Sequence, residues 1–145
     1  MATNQRTADC TAEDVFAVLA NGWLYPVWVV GASRMRDVDD TWPQPTSRLH
    51  HSFGVWPAVL DDITESLEWD PPRRAVFRAH GWPMGTARVT IEVVDVAQGC
   101  RITITEDAES GPGTLMPKPA RDVMIKIRNM ETLNRLRLMA EGHAP

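Results

Sequence analysis

The stretch PARDVMIKIRNMETLNRLRLMAE, from Pro119 to Glu141, decides how the rest of the chain is read. Val123, Ile127, Met130, Leu133 and Leu136 recur at spacings of three and four, with Met124, Leu138 and Met139 beside them. That period draws one apolar stripe along a helix. Arg121, Asp122, Lys126, Arg128, Glu131, Arg135 and Arg137 mostly fill the other face. A helix of roughly 22 residues is about 33 Å long. It needs a broad apolar surface to lie on, and the chain before it reads as a succession of strands. The expected arrangement is one long helix gripped by one curved sheet, with a cavity between them.

Moving outward, Ser110–Pro119 is a stiff lead-in rich in Gly and Pro. Before it come strands at Cys100–Asp107, at Ala87–Val96 with strict alternation, and at Ala75–His80. The first two are joined by a Gln98-Gly99 turn, the last two by a Gly81–Gly85 turn. Asp70-Pro71-Pro72-Arg73 turns the chain into a strand over Val59–Trp69, and Trp56-Pro57 breaks it from a strand over Ser47–Val55. Acids and prolines make 39–45 a loop, preceded by a strand from about Val29 to Val38. Gly22–Val30 is the most apolar segment. Pro26 limits it to one or two helical turns, with Trp23, Tyr25 and Trp28 wedging one mouth as core aromatics or as an entrance lining. Thr11 and Asp14 resemble a capping box ahead of a short helix carrying Val15, Phe16, Val18 and Leu19, and residues 1–9 read as a frayed first strand. Consecutive hairpins favour neighbouring antiparallel strands. The class is α+β: a curved antiparallel sheet of about seven strands around a long C-terminal helix, with two short helices after the first strand.

Length and composition bound the function. The 145 residues fit one domain spanning 1–145. Hydrophobic content of 43% and charged content of 23% suit a soluble globular protein. A net charge of −4 argues against nucleic acid, which wants a basic face. The first twenty residues carry Asp9, Glu13 and Asp14 and no long apolar run, so no signal peptide is expected. No stretch approaches the ~18 apolar residues of a membrane span. The expectations are a cytoplasmic monomer or homodimer, no membrane insertion, and free thiols at Cys10 and Cys100, which approach one another if the first and last strands are neighbours. His50 and His51 point to opposite faces of a strand and cannot share a metal. There is no GxSxG, P-loop, dinucleotide fingerprint or HExxH. No metal and no cofactor are expected. His80 and His143 are read as surface residues.

Ala12-Glu13-Asp14-Val15-Phe16-Ala17-Val18-Leu19, Asp70-Pro71-Pro72-Arg73-Arg74, Gly99–Asp107 and the long terminal helix together resemble the SRPBCC superfamily (START-like, helix-grip fold). Within it the chain is similar to the small bacterial polyketide cyclase/dehydrase-like proteins. The resemblance covers nearly the whole length. It implies a cavity and a hydrophobic small-molecule partner, since members bind lipids, sterols, hormones or polyketides and some cyclise or dehydrate their ligands. It implies no particular reaction.

Strand parity names the candidate lining. The inward sets are Leu49, His51, Phe53 and Val55; Asp61, Ile63, Glu65, Leu67 and Trp69; Ala75, Phe77 and Ala79; Ala87, Val89, Ile91 and Val93; and Ile102, Ile104 and Glu106. A one-residue slip at a turn inverts a set. Trp28 joins from the mouth, and Ile127 and Met130 from the helix stripe. Three acids thus enter an apolar space. Glu65 and Glu106 are candidate general acids or bases, and His51 is a candidate proton shuttle. Alternatively Glu106 meets Arg121 or Arg128, and Asp61 lies at the rim. Trp56, Trp69 and Trp82 offer stacking faces for flat ligands or pack at strand ends. Asn129 is placed to hydrogen-bond a ligand or a backbone group. Three functions stay open: a carrier or sensor of a hydrophobic molecule, a polyketide cyclase or dehydratase, and a protein-interaction module.

Overall fold

The first strand passes into the first helix at Thr11. Its hydroxyl accepts from the Asp14 N–H at 3.2 Å while the Asp14 carboxylate accepts from the Thr11 N–H at 3.0 Å, so two otherwise unsatisfied donors are closed as the spacing predicted. The structure is a computed structural model. It describes residues 1–55, 57–80 and 85–143, and of Val55 and His143 only the backbone. The expectations for Trp56, Trp82 and residues 81–84 of the predicted turn, and for the side chains of Val55 and His143, lie outside the described residues.

The elements run β1 (Ala2–Ala8), α1 (Ala12–Ala20), a 3₁₀ turn at Gly22–Leu24, α2 (Tyr25–Trp28), β2 (Ala32–Val38), β3 (Arg48–Val55), β4 (Ala58–Asp70), β5 (Arg74–His80), β6 (Thr86–Val96), β7 (Gly99–Ser110), a 3₁₀ turn at Pro112–Leu115 and α3 (Lys118–His143). The seven strands form one antiparallel sheet in the order β1-β7-β6-β5-β4-β3-β2. Only the β1–β7 pairing is not a hairpin, because α1 to β6 lie between the two in the chain. That pairing brings Cys10 and Cys100 into thiol–thiol contact, both reduced and buried. Gly99 turns β6 into β7 at φ +134°, where a Cβ would run into the Ala8 carbonyl oxygen.

Two readings of the sequence are corrected here. In β4 the register to β5 shifts between Ser66 and Glu68, a β-bulge that adds Leu67 to one strand only. Ser66 pairs with inward Phe77 and Trp69 with inward Ala75, so the parity that holds for Trp69 is inverted before the bulge. Thr64 and Ser66 are wholly buried, while Asp61, Ile63 and Glu65 turn to the face away from α3. In α3 the buried residues are Asn129, Thr132, Leu133, Leu136 and Ala140. Leu133 and Leu136 belong to the predicted stripe, but Val123, Ile127 and Met130 are exposed. The helix is turned so that its polar Asn129 and Thr132 face the sheet.

The core fills one end of the grip. Val15, Phe16, Val18 and Leu19 of α1 pack with Ile91, Val93, Ile102 and Ile104 of the sheet and with Leu133, Leu136 and Ala140 of α3. Each such fully buried aliphatic side chain stabilises the fold by about 2 kcal/mol relative to exposure. The 39–45 loop closes over this end: the Trp42 indole N–H donates to the Leu19 carbonyl at 3.2 Å and its ring stacks on Phe77.

Candidate functional site

The other end of the grip is not filled, and three strands show why. Ala79 of β5, Ala87 of β6 and Ala108 of β7 are register partners side by side. The next row toward the core is Phe77, Val89 and Glu106, and the one after is Ala75, Ile91 and Ile104. Side chains on the concave face shorten toward one end, and a row of methyl groups leaves space that α3 does not close. The result is a cavity of about 530 Å³, within the usual size of a small-molecule site. Its walls are the alanine row, Phe53, Phe77, Val89 and Ile104 from the sheet, Tyr25, Trp28 and Val29 from the α2 region, and Ile125, Arg128, Asn129 and Thr132 from α3. Most of this lining is apolar.

Glu106, Arg128 and Asn129 form one polar cluster on the wall, and Tyr25, His80, Thr86, Arg121 and Thr132 place further polar groups along it. Glu106 is 6% exposed, in the middle row of the sheet wall. Arg128 forms a salt bridge to its Oε2, and Asn129 Nδ2 donates to its Oε1 at 3.3 Å. These three residues face the cavity together. A ligand reaching them meets a carboxylate, a guanidinium with further donors and an amide, so the site can accept and donate hydrogen bonds at the wall of an otherwise greasy space.

A second polar group stands behind the wall. Tyr25 Oη and His51 Nε2 both hydrogen-bond Thr64 Oγ1, at 2.9 and 2.8 Å. The Tyr25 and His51 rings stack with centroids 5.1 Å apart, and Phe53 meets His51 edge-on. Burial outweighs the pull of the Asp62 carboxylate and lowers the His51 pKa to about 4, so the imidazole is neutral at pH 7. Burial pushes the Tyr25 phenol up to about 12. Tyr25 lines the cavity and His51 does not. His51 stands behind Tyr25 and Phe53, which do line it.

The sequence candidates therefore divide. Trp28, Phe53, Phe77, Val89, Ile104 and Glu106 line the cavity. Glu65 does not: it sits on the opposite sheet face between Arg78 at 3.5 Å and Arg48 at 3.7 Å. Asp61 accepts from Ser52 at 2.8 Å and pairs with Arg36 on that same outer face, and Ile63 shares its orientation. The Leu67 bulge is the cause for all three. Trp69 packs against Phe16 at 5.2 Å in the core and Ile91 is sealed within it. Ile127 and Met130 face away from the sheet. His50 turns outward to Asp39 at 2.9 Å, opposite to His51. His80, read as a surface residue, lies along the cavity wall. Arg128, Thr132 and Ile125 were not assigned to the lining by periodicity. The signal was there, since Ile125, Arg128, Asn129 and Thr132 are themselves three and four residues apart, but a partly polar stripe loses to an apolar one on hydropathy alone.

A seven-stranded antiparallel sheet closed around a long C-terminal helix, with a cavity between the two, defines the START-like, helix-grip class of the SRPBCC superfamily. The chain belongs to the polyketide cyclase / dehydrase and lipid transport family, whose model matches residues 2–136. No curated protein is close enough in sequence to match. Among solved structures, a protein of Rhodobacter sphaeroides superposes with a TM-score of 0.73 at 17% identity over 97% of this chain and 91% of its own. A protein of Nitrosomonas europaea gives 0.71 at 16% identity, covering 97% and 93%. The di-domain ARO/CYC StfQ of the steffimycin biosynthetic pathway gives 0.72 at 11% identity, covering 97% of this chain and 50% of its own. At these identities the likeness shows the fold.

Proposed function

We propose that the protein binds one hydrophobic small molecule, lipid- or polyketide-like and bearing at least one polar group, between the sheet and α3. The observation that carries this reading is the cavity itself. About 530 Å³ of space is walled by alanines and aromatics, with Glu106, Arg128 and Asn129 as its polar anchor. The apolar walls supply affinity, and the anchor fixes orientation, because a buried charge cluster left facing hydrocarbon is penalised. The direct test is a titration with the fluorophore anilinonaphthalene sulfonate, followed by displacement with a long-chain fatty acid and with a flat polyphenol. Saturable one-to-one binding that Ala87→Trp abolishes supports the reading. Binding that this substitution leaves unchanged places the probe elsewhere and rejects it.

Glu106 favours one second reading, a polyketide cyclase or dehydratase. It is the inward carboxylate that lines the cavity, and an acid or base touching the ligand is what enolisation or dehydration requires. The family's description and the ARO/CYC relative support the substrate class. Under this reading Glu106→Gln lowers turnover by roughly 10²-fold or more with affinity within a few-fold. Unchanged turnover of an identified substrate removes Glu106 from the chemistry.

A further inference from the structure

Three buried polar side chains on the concave side of the sheet form one hydrogen-bonded chain. Thr64 of β4 is the register partner of Ala79, so it carries the alanine row one strand further. Its Oγ1 meets Tyr25 Oη at 2.9 Å and His51 Nε2 at 2.8 Å. All three side chains are buried, and of the three Tyr25 lines the cavity. The Tyr25 hydroxyl thus stands over the end of the row that floors the cavity.

Counting hydrogens gives the chain a direction. At pH 7 His51 is neutral and brings one N–H, and Thr64 and Tyr25 bring one O–H each. Two of the three hydrogens fill the two bonds, so the third lies free at one end. At the His51 end it would be an Nδ1–H, and Nδ1 is buried with no hydrogen-bond partner among the described residues. Asp62, the register partner of His51, attracts a proton to the imidazole, but its carboxylate does not reach Nδ1. A buried donor without an acceptor carries its full desolvation penalty. In the reverse direction Nδ1 keeps only a lone pair. The free hydrogen then sits on Tyr25 Oη at the cavity, where water or a ligand accepts it, and no donor is stranded.

We infer that His51 Nε2–H donates to Thr64 and Thr64 to Tyr25, so that the Tyr25 hydroxyl is a preorganised donor in the cavity and the bound molecule sets a neutral carbonyl oxygen against it. Tyr25 is then a specificity-determining residue, and Thr64 and His51 position it. The inference rests on the ligand-binding reading for the bound molecule, while the direction of the chain stands without it. One hydroxyl satisfies a carbonyl but not a buried carboxylate, whose charge needs several donors. Trp28 meets Tyr25 edge-on at 5.5 Å and lines the same cavity, as does Phe53. These aromatic faces fit a flat, conjugated carbonyl compound.

Two measurements test this. Long-range proton–nitrogen correlation spectra of the isotope-labelled full chain, with His51 assigned through its own backbone, read which ring nitrogen carries the hydrogen. The expected result is the Nε2–H tautomer, and the Nδ1–H tautomer overturns the inference. This arm uses wild type and needs no ligand. The second arm titrates propionyl-dimethylaminonaphthalene, a fluorescent ketone whose emission moves to longer wavelength when its carbonyl accepts a hydrogen bond, and its carbonyl-free parent dimethylaminonaphthalene. Tyr25→Phe keeps the ring and removes the hydroxyl. It should weaken the ketone by roughly 3–10-fold more than the parent, the value of one neutral hydrogen bond. The bound ketone should also emit at shorter wavelength than in wild type. Thr64→Val keeps the shape and breaks the chain, so it should lose part of the same preference, and Thr64→Ser should retain it. Equal losses for the two probes in Tyr25→Phe, or unchanged emission, overturn the inference. Wild type that binds anilinonaphthalene sulfonate but not the ketone overturns the carbonyl assignment alone. Wild type that binds neither rejects the cavity reading, and the tautomer still decides the direction of the chain.

Discussion

Replacing Arg128 with Met should unbalance the site more than any change to its carboxylate partner. Glu106 is 6% exposed and has two side-chain partners, Arg128 and Asn129. The Arg128 side chain is 42% exposed and is hydrated on its outer part. Removing the arginine leaves a buried carboxylate with one amide donor 3.3 Å away. Breaking a fully buried pair this way costs about 3–5 kcal/mol, and the half-exposed arginine discounts that to about 2–3. At about 2–4 °C per kcal/mol for a chain of this length, Arg128→Met should melt roughly 5–10 °C below wild type at pH 7. Glu106→Gln keeps an acceptor oxygen for Arg128, its NH2 is met by the Asn129 amide oxygen once that amide turns over, and no buried charge is stranded, so it should lose only about 1 kcal/mol. The double variant should be more stable than Arg128→Met alone, because the charge that made the single change expensive is gone. Urea and thermal denaturation of the four proteins at pH 7 read all of this. An Arg128→Met protein as stable as wild type, or a double variant no better than it, would refute the account of Glu106 as a buried charge held by Arg128.

Two other perturbations follow from the packing. Leu136→Ala, at a wholly buried position, should cost about 3 kcal/mol, whereas Ile127→Ala should fall within about 0.5, and urea midpoints that reversed this order would restore the predicted helix face. His51 is held neutral in the fold with its pKa at about 4, below the ~6.5 of the unfolded chain. The unfolded state therefore binds more protons between those values, and stability should fall as pH drops from about 6.5 to 4, by up to about 3 kcal/mol. His51→Gln should flatten that slope, while parallel wild-type and variant curves would show that His51 does not titrate on unfolding.

The fold was legible because its signals are redundant. The Thr11–Asp14 cap, the turns around Pro71-Pro72 and Gly99, and the alternation of Ala87 to Val93 each fix a local structure, and all are compatible with a single sheet. The site was legible where parity ran unbroken, which is why Phe53, Phe77, Val89, Ile104 and Glu106 come together. It was not legible across Leu67. A bulge is one extra residue with no marker in composition, yet it moves Asp61 and Glu65 to the far face. Nor was it legible on α3. Hydropathy assumes that the more apolar face is the buried one. Here the inner face carries Arg128, Asn129 and Thr132 toward a cavity, while Val123, Ile127 and Met130 face outward and only Leu133 and Leu136 of the predicted stripe are buried. The alanine row shows only in register, since Ala79, Ala87 and Ala108 are unremarkable until three strands are laid side by side.

The central claim is that the space under α3 holds a small apolar molecule. Native mass spectrometry of the gently purified full chain tests it most directly, with wild type and Ala87→Trp compared and any adduct extracted and identified. The account predicts a one-to-one adduct on wild type, or its formation when a long-chain fatty acid or polyphenol is added, and bare protein for Ala87→Trp under the same conditions. Wild type that stays bare with every such probe, or a variant that carries the same adduct, would contradict it.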